Sequence, residues 1–376
     1  MIIQIKDAIF EYAVRNKLSE DIPVYSVTNE KGFCMGYFSK EVASKDKSTY
    51  KIVPKGYFAY NPSRINVGSI DWQNCEDKVI VSPLYVVFGV SEELDQQYLL
   101  HYLKSDMMLT YIKEYATGSV RDNLKLSDLG KFPINLRPLD EQRKIAAVLD
   151  KVSDLIAKRR QQLDKLDELV QARFVEMFGD PISNPHKWEL QSLSNICKDI
   201  YGGGTPSKSH PEYFEGSIPW VSPKDMKSDI IMDSIDHITE EAVENSSTKM
   251  VPKGAVLMVI RSGILKHTLP VAIAAVELTV NQDMKAFIVG ENVTAKFLMY
   301  YFRTIEADVL SRVRSVTADN IDFKEFQKRM VILPPIELQN RFDAFVEQTE
   351  KTKTTISRSL EKLETLKKAL MQEYFG

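Results

Sequence analysis

LDEQRKIAAVLDKVSDLIAKRRQQLDKLDELVQARFVEMFG, Leu139 to Gly179, decides the architecture of this chain. No glycine or proline interrupts it before Gly179, so it reads as one unbroken helix following Pro138. Its apolar positions Ile145, Leu149, Val152, Ile156, Leu163, Leu166, Val170 and Met177 advance by threes and fours, with Arg159 and Arg173 at the skipped steps. That is the seam of an antiparallel helix pair or coiled coil, and it requires a partner. The chain carries one. PIELQNRFDAFVEQTEKTKTTISRSLEKLETLKKALMQEYFG, Pro335 to Gly376, aligns with the first stretch without a gap at a constant offset of 197 residues. Phe342, Val346, Ile356, Leu360, Leu363, Leu370 and Tyr374 occupy the same seam. At about 1.5 Å per residue, each rod is about 60 Å long.

The segments before the rods echo each other as well. VPKG recurs at 53 and 251, YLLHYLKS at 98 answers FLMYYFRT at 297, and VRDNLKLSDLGKFPINLRP answers VTADNIDFKEFQKRMVILPP, all at offsets of 197 to 199 residues. The repeat unit is therefore a globular module followed by a rod, used twice. The boundaries are 1–137 for the first module, 138–180 for the first rod, 181–333 for the second module and 334–376 for the second rod. The fold class is α+β, with the two rods packed as an antiparallel pair in a pseudo-two-fold arrangement. Two modules facing the same way on a bar suit a linear ligand with two contact sites.

Within the first module, YKIVPKGYFAY (Tyr50 to Tyr60) reads as two short strands around a turn, and VIVSPLYVVFGV (Val79 to Val90) as strand. DQQYLLHYLKSDMMLTYIKEYA (Asp95 to Ala116) reads as one amphipathic helix. The second module opens with WELQSLSNICKDIYGGGTPSKSHPEYFEGSIPWVSPKDM, read as a short helix, a glycine turn and an extended stretch carrying Trp220. Strands follow, then the helix AKFLMYYFRTIEADVLSRV.

With 44% apolar and 10% aromatic residues in 376, both modules have material for a core, which excludes a disordered chain. The net charge of -3 divides as 0, -1, -2 and 0 over the four segments, so no segment has the basic excess of a stand-alone nucleic-acid binder. Cys34, Cys75 and Cys197 form no CxxC pair, and no apolar run is long enough to span a bilayer. A soluble, cytoplasmic protein with no membrane partner is expected. The five histidines show neither HxH nor HExxH spacing, and no PD-x-E/D-x-K cluster stands out. GGGTPSKS (Gly202 to Ser209) has Ser207 where a phosphate-binding loop needs glycine. NPSR (Asn61 to Arg64) shares only its first two residues with the Asn-Pro-Pro-aromatic motif of amino-methyltransferases. Neither a catalytic centre nor a cofactor or metal site is therefore expected.

Side chains suited to base edges and phosphates do occur in loops. Arginine matches guanine, and asparagine matches adenine, through paired hydrogen bonds. In the first module the candidates are Asn61, Ser63, Arg64 and Asn66, with Arg121 and Lys125 in the loop before the first rod. In the second they are Thr205, Ser207 and Lys208 on the glycine turn, Lys224, and Arg261 and Lys266 in a loop between strands. Arg314 and Asn320 stand in the loop before the second rod. Asp122-Asn123 and Asp319-Asn320 in the pre-rod loops read equally well as turn and capping residues.

The two helix starts PLDEQRKIA and PIELQNRF, the two FG helix ends, the WELQ…SPKDM opening, VNQDMKAFIV and the paired DN loops together resemble the specificity subunit of type I restriction-modification systems. The likeness covers nearly the whole chain. It implies two target-recognition domains, each reading half of a bipartite, asymmetric site on double-stranded DNA. It implies rods that act as a ruler and as the dock for two methyltransferase subunits, with restriction translocase subunits joining the assembly. Those partners would bring catalysis and S-adenosylmethionine. The first module lacks the WEL opening and the GG-TPS turn, and resembles a different class of recognition domain. A scaffold that joins two protein-binding modules without DNA is the alternative.

Overall fold

The computed structural model describes residues 1–36, 47–116, 123–315 and 319–376. The stretches read as rods are single helices, Leu139–Phe178 and Ile336–Phe375. Gly179 closes the first with a left-handed φ of 77° and donates its N–H to the Val175 carbonyl at 2.8 Å, a conformation glycine adopts without strain. The chain divides into two compact units, Met1–Arg160 with Ser357–Gly376, and Gln161–Ile356. Each unit contains the start of one rod and the end of the other.

In the first unit, Ile145, Ala146 and Leu149 from the first rod and Phe375 from the second join one core with Phe58, Phe88, Tyr98 and Leu99. Phe375 packs at ring distances of 5.2 Å from Tyr98 and 5.5 Å from Tyr102. Arg160 and Glu364 link the antiparallel rods at 2.7 Å. A four-stranded antiparallel sheet lies beside these helices, in the order Ile9–Glu11, Val86–Val90, Phe58–Tyr60 and Ile70–Trp72. The strands Lys51–Pro54 and Lys78–Val81 pair separately.

In the second unit, Phe174 and Phe178 from the first rod meet Phe342 from the second, with Phe297 packed against both rod phenylalanines. Lys353 bridges to Asp167 across the antiparallel rods at 2.7 Å. A five-stranded sheet runs in the order Cys197–Gly202, Met284–Val289, Val256–Val259, Val271–Ala274 and Ile230–Ile231, and a three-stranded sheet is centred on Ile218–Val221.

The helix starts show why the repeat carries glutamine where it does. Gln142 and Gln339 are both fully buried. Gln142 accepts the N–H of Asp95 at 2.9 Å and donates to the carbonyls of Glu93 and Arg137, both at 2.8 Å. Gln339 accepts the N–H of Thr294 and donates to the carbonyls of Asn292 and Pro334, all at 2.9 Å. Asp95 and Thr294 in turn cap the helices Gln96–Leu103 and Ala295–Thr304. One amide side chain in each repeat thus welds a rod to its module.

Three local expectations need correction. Val79–Val90 is two strands in two sheets, because Pro83 has no N–H to continue a ladder and Ser82 starts a turn closed by the Tyr85 N–H. Asp95–Ala116 is two helices, Gln96–Leu103 and Asp106–Ala116, broken where the Ser105 hydroxyl accepts the Met108 N–H at 3.3 Å. The helix at 295 likewise breaks at Ile305. The first module lacks the WEL opening, as read, and its chain begins in a strand that takes the same place. Ile2–Gln4 pairs antiparallel with Pro133–Asn135 just as Glu189–Ser192 pairs with Met330–Leu333. The tryptophan of the second opening belongs to the closure of the first rod, since Trp188 Nε1 donates to the Phe178 carbonyl at 2.9 Å.

Candidate nucleic-acid interface

In the second unit the candidate loops leave the strands at one end of the sheets, where Gly202 lies opposite Lys285, Val259 opposite Met284, and Val221 opposite Val280. A chain of backbone bonds joins them. The Gly204 N–H donates to Val280 at 3.1 Å, Asn281 to Val221 at 2.9 Å, Ile260 to Asp283 at 2.8 Å, Ser262 to Asp319 at 3.1 Å, and Ile321 to Ile260 at 2.9 Å. Glycine is required at 203, because a Cβ there would stand 1.6 Å from the Asn281 carbonyl oxygen. Trp220 Nε1 fixes the same turn by donating to the Gly204 carbonyl at 3.0 Å.

The side chains differ in what they offer. Ser207 and Lys208 are exposed, as is Lys224 on the turn that Asp225 closes by accepting the Ser222 N–H and hydroxyl. Thr205 is not presented: its hydroxyl is buried without a hydrogen-bond partner among the described residues. Arg261 is held by Asp283, with Nε 2.6 Å from Oδ1, and Lys266 stands 3.8 Å from Asp319. Asn320 is exposed in a two-stranded ribbon with Arg314, whose side chain is not among the described residues. The two pre-rod loops do not lead directly into the rods, since a helical turn and a strand intervene in both repeats, Leu126–Leu129 with Pro133–Asn135 and Phe323–Phe326 with Met330–Leu333.

The first unit brings the NPSR loop and its pre-rod loop together. The Ser63 hydroxyl donates to Asn123 Oδ1 at 2.5 Å, the Leu124 N–H donates to the Pro62 carbonyl, and Tyr60 donates its hydroxyl to the Leu124 carbonyl at 3.1 Å. Asn61 spends its side-chain oxygen on the Ser63 N–H, and Asn66 is half-buried in the turn Ile65–Val67. Arg64 is exposed and borders a groove of about 340 Å³ with Thr28, Asn29, Lys31 and Asn61. Lys125 is exposed beside Leu124, and Arg121 lies outside the described residues. Among the described residues, Arg64, Lys125, Lys208 and Lys224 make no ion pair. Of the candidates, these are the cations with charge to offer a phosphate.

Sequence reading passed over the Asn281–Asp283 turn, although it lies within VNQDMKAFIV. It also passed over Lys285, whose ammonium sits 4.7 Å from the centre of the Phe323 ring and whose pKa burial lowers. Nothing in the local sequence marks Lys285, because the ring comes from a distant segment. Among the described residues there is no group of three or more His, Cys, Asp or Glu arranged to hold a metal, and no helix is long and apolar enough to cross a membrane.

A family model described as the type I restriction modification DNA specificity domain matches residues 2–168 and 185–365. The chain belongs to that family. It is 34% identical over 224 residues to the specificity subunit of the type I restriction enzyme EcoR124I/EcoR124II from Escherichia coli, which covers 58% of this chain and 54% of that protein. It is 25% identical over 269 residues to the MjaIX specificity subunit from Methanocaldococcus jannaschii, which covers 67% of this chain and 61% of that one. The chain thus spans less than two thirds of the length of either relative. Among solved structures, one concerned with complex assembly and conformational transition of the type I R-M system aligns with a TM-score of 0.61 at 19% identity, covering 100% of this chain and 97% of that one. The crystal structure of a type I restriction-modification S subunit from M. genitalium aligns at 0.58 and 13%, covering 100% of this chain and 96% of that chain. These two show the shared fold, and family membership counts against a scaffold that never meets DNA.

Proposed function

We propose that this chain is the non-catalytic, cytoplasmic DNA-specificity subunit of a type I restriction-modification complex. In this reading each module reads one half of a bipartite, asymmetric site on double-stranded DNA, and the paired rods set the spacer between the halves. The observation that carries the reading is the ladder of bonded loops at one end of the strands of the second unit, bearing Lys208, Lys224, Arg261 and Asn320. Arg64, Ser63, Asn66 and Lys125 form the corresponding set in the first unit, with Arg121 and Arg314 as further phosphate or base contacts. Arg261, braced by Asp283, is suited to a base edge, where geometry counts for more than net charge. The unpaired lysines are suited to phosphates.

Two methyltransferase subunits dock on the rods in this proposal, and restriction translocase subunits complete the assembly. The first rod supports this, because Val148, Leu155 and Leu169 are 41%, 40% and 48% exposed at positions related by sevens, outside the seam. The chain's weak net charge then follows, since partners supply much of the phosphate-binding charge. The test is duplex binding by the assembled complex as salt is raised. Affinity falls steeply, and the double variant Lys208→Ala, Lys224→Ala flattens the log-log slope by about 2 if both residues meet phosphates. An unchanged slope overturns their assignment, and salt-insensitive binding overturns the DNA reading.

A further inference from the structure

The first unit contains a cavity of about 590 Å³ between the junction of the helices Gln96–Leu103 and Asp106–Ala116 and the rod segments of that unit, lined in part by Lys104, Ile156, Arg160, Glu364, Lys367 and Gln372. The second unit has a counterpart of about 650 Å³, at positions the repeat relates: Arg303 for Lys104, Lys353 for Ile156 and Asp167 for Glu364. The counterpart settles its own charge. Arg303 grips Asp229 through two bonds of 2.8 and 2.7 Å and donates to the Val271 carbonyl at 3.2 Å. Lys353 lies 2.7 Å from Asp167 and 2.9 Å from Glu350.

The first cavity leaves its charge unsettled. Arg160 takes Glu364 at 2.7 Å, but the ammonium groups of Lys104 and Lys367 have neither an ion pair nor a hydrogen bond among the described residues. The acids whose fields reach them are engaged elsewhere: Asp71 accepts the N–H groups of Phe33 and Trp72, and Asp150 holds Gln97 and His101. Asp106 and Glu361 also line the cavity, both on exposed residues. Moreover, Lys367 occupies the seam position at which the other rod carries Val170, a core residue only 1% exposed. A half-buried cation in place of a core valine is costly unless an anion meets it. Burial lowers the pKa of both, and the field of Lys367 at Lys104 and of Arg160 at Lys367 adds to it, against the opposing fields of Asp71 and Asp150.

We propose that this cavity binds a small phosphate-bearing anion between the ammonium groups of Lys104 and Lys367, with Arg160 at its side. Lysine acts as a point charge suited to a phosphate oxygen, and Ser105, whose oxygen already accepts the Met108 N–H, keeps its hydroxyl proton free to donate. The source is free phosphate or the phosphate of a nucleotide, for which the cavity has room.

The experiment is thermal unfolding and calorimetric titration of the purified full chain with inorganic phosphate, AMP and acetate at matched ionic strength. Phosphate raises the wild-type Tm in proportion to ln(1 + [phosphate]/Kd). Lys104→Met and Lys367→Met bind at least tenfold more weakly. Lys367→Glu, which supplies an internal carboxylate as Asp229 does in the second unit, melts higher than wild type without phosphate and no longer responds to it. Tighter binding of AMP than of phosphate assigns the cavity to a nucleotide, and equal binding assigns it to the free ion. No phosphate-specific rise in the wild type, an equal rise in all variants, or an equal rise with acetate overturns the proposal.

Discussion

Asp343, on the second rod, shows how much one half-buried side chain costs the second unit. It accepts the Thr294 hydroxyl at 3.1 Å, beside the glutamine that welds rod to module. Burial pushes its carboxyl up to about 6, although Thr294 and Lys296 pull the other way. A folded pKa above the unfolded one means that folding favours the protonated form. The contribution is therefore fully present below about pH 4, and is lost as pH rises through about 6. Asp343→Asn keeps an oxygen for Thr294 and removes the charge. It stabilises the chain by about 1–2 kcal/mol at pH 7.5, discounted for partial exposure, and the gain shrinks towards zero at pH 4.5. Chemical unfolding at the two pH values checks the difference between them. At Arg64 the expected effect is on specificity rather than stability. Arg64→Ala relaxes one position of the first half-site, costing about 1–3 kcal/mol there if the contact is bidentate, as measured by competition between single-base variants of the site. A uniform loss over all sequences would make Arg64 a phosphate contact.

At the scale of elements, the rods were legible because their signal is local and repeated: two ungapped seams, bounded by proline and by glycine. The FG ends were legible as motifs but not in their role. Phe178 closes its own rod by packing on Phe297 and Phe342 of the second unit, and Phe375 packs on Tyr98 and Tyr102 of the first. Sequence order assigns each rod to the module before it, whereas packing gives each end to the other unit. Phe178→Ala therefore destabilises the second unit by about 3–5 kcal/mol. Its unfolding transition moves while that of Phe375→Ala reports the first unit, and hydrogen exchange resolved by segment checks the separation. The module strands were less legible, for a physical reason. They are two to six residues long and several pair with distant segments, so Pro83 and Ser105, which break elements, weigh more than any run of β-branched or helical residues. The candidate loops were found by composition. Their assembly, through the Asn281–Asp283 turn, depends on backbone bonds that no local pattern announces, and Thr205 illustrates the error: a polar residue in a glycine turn whose hydroxyl is buried.

On the scale of the whole molecule, the proposed function puts two readers and the gauge between them on one chain. The repeat makes this concrete, because Gln142 and Gln339 repeat one weld, Tyr102 and Tyr301 both donate to the strand before a rod, and each unit takes one end of both rods. Inserting seven residues near Ala157 and seven near Thr354 preserves the seam and adds about 10 Å, or about 3 base pairs, to each rod. The most direct measurement is a map of methylated bases in cells expressing the neighbouring methyltransferase subunit alone, with this chain, and with the lengthened chain. The expected result is no motif without the chain, a bipartite asymmetric motif with a fixed gap in its presence, and the same half-sites about 3 base pairs further apart with the lengthened form. Methylation independent of the chain, or half-sites that change when only the rods are lengthened, would contradict it.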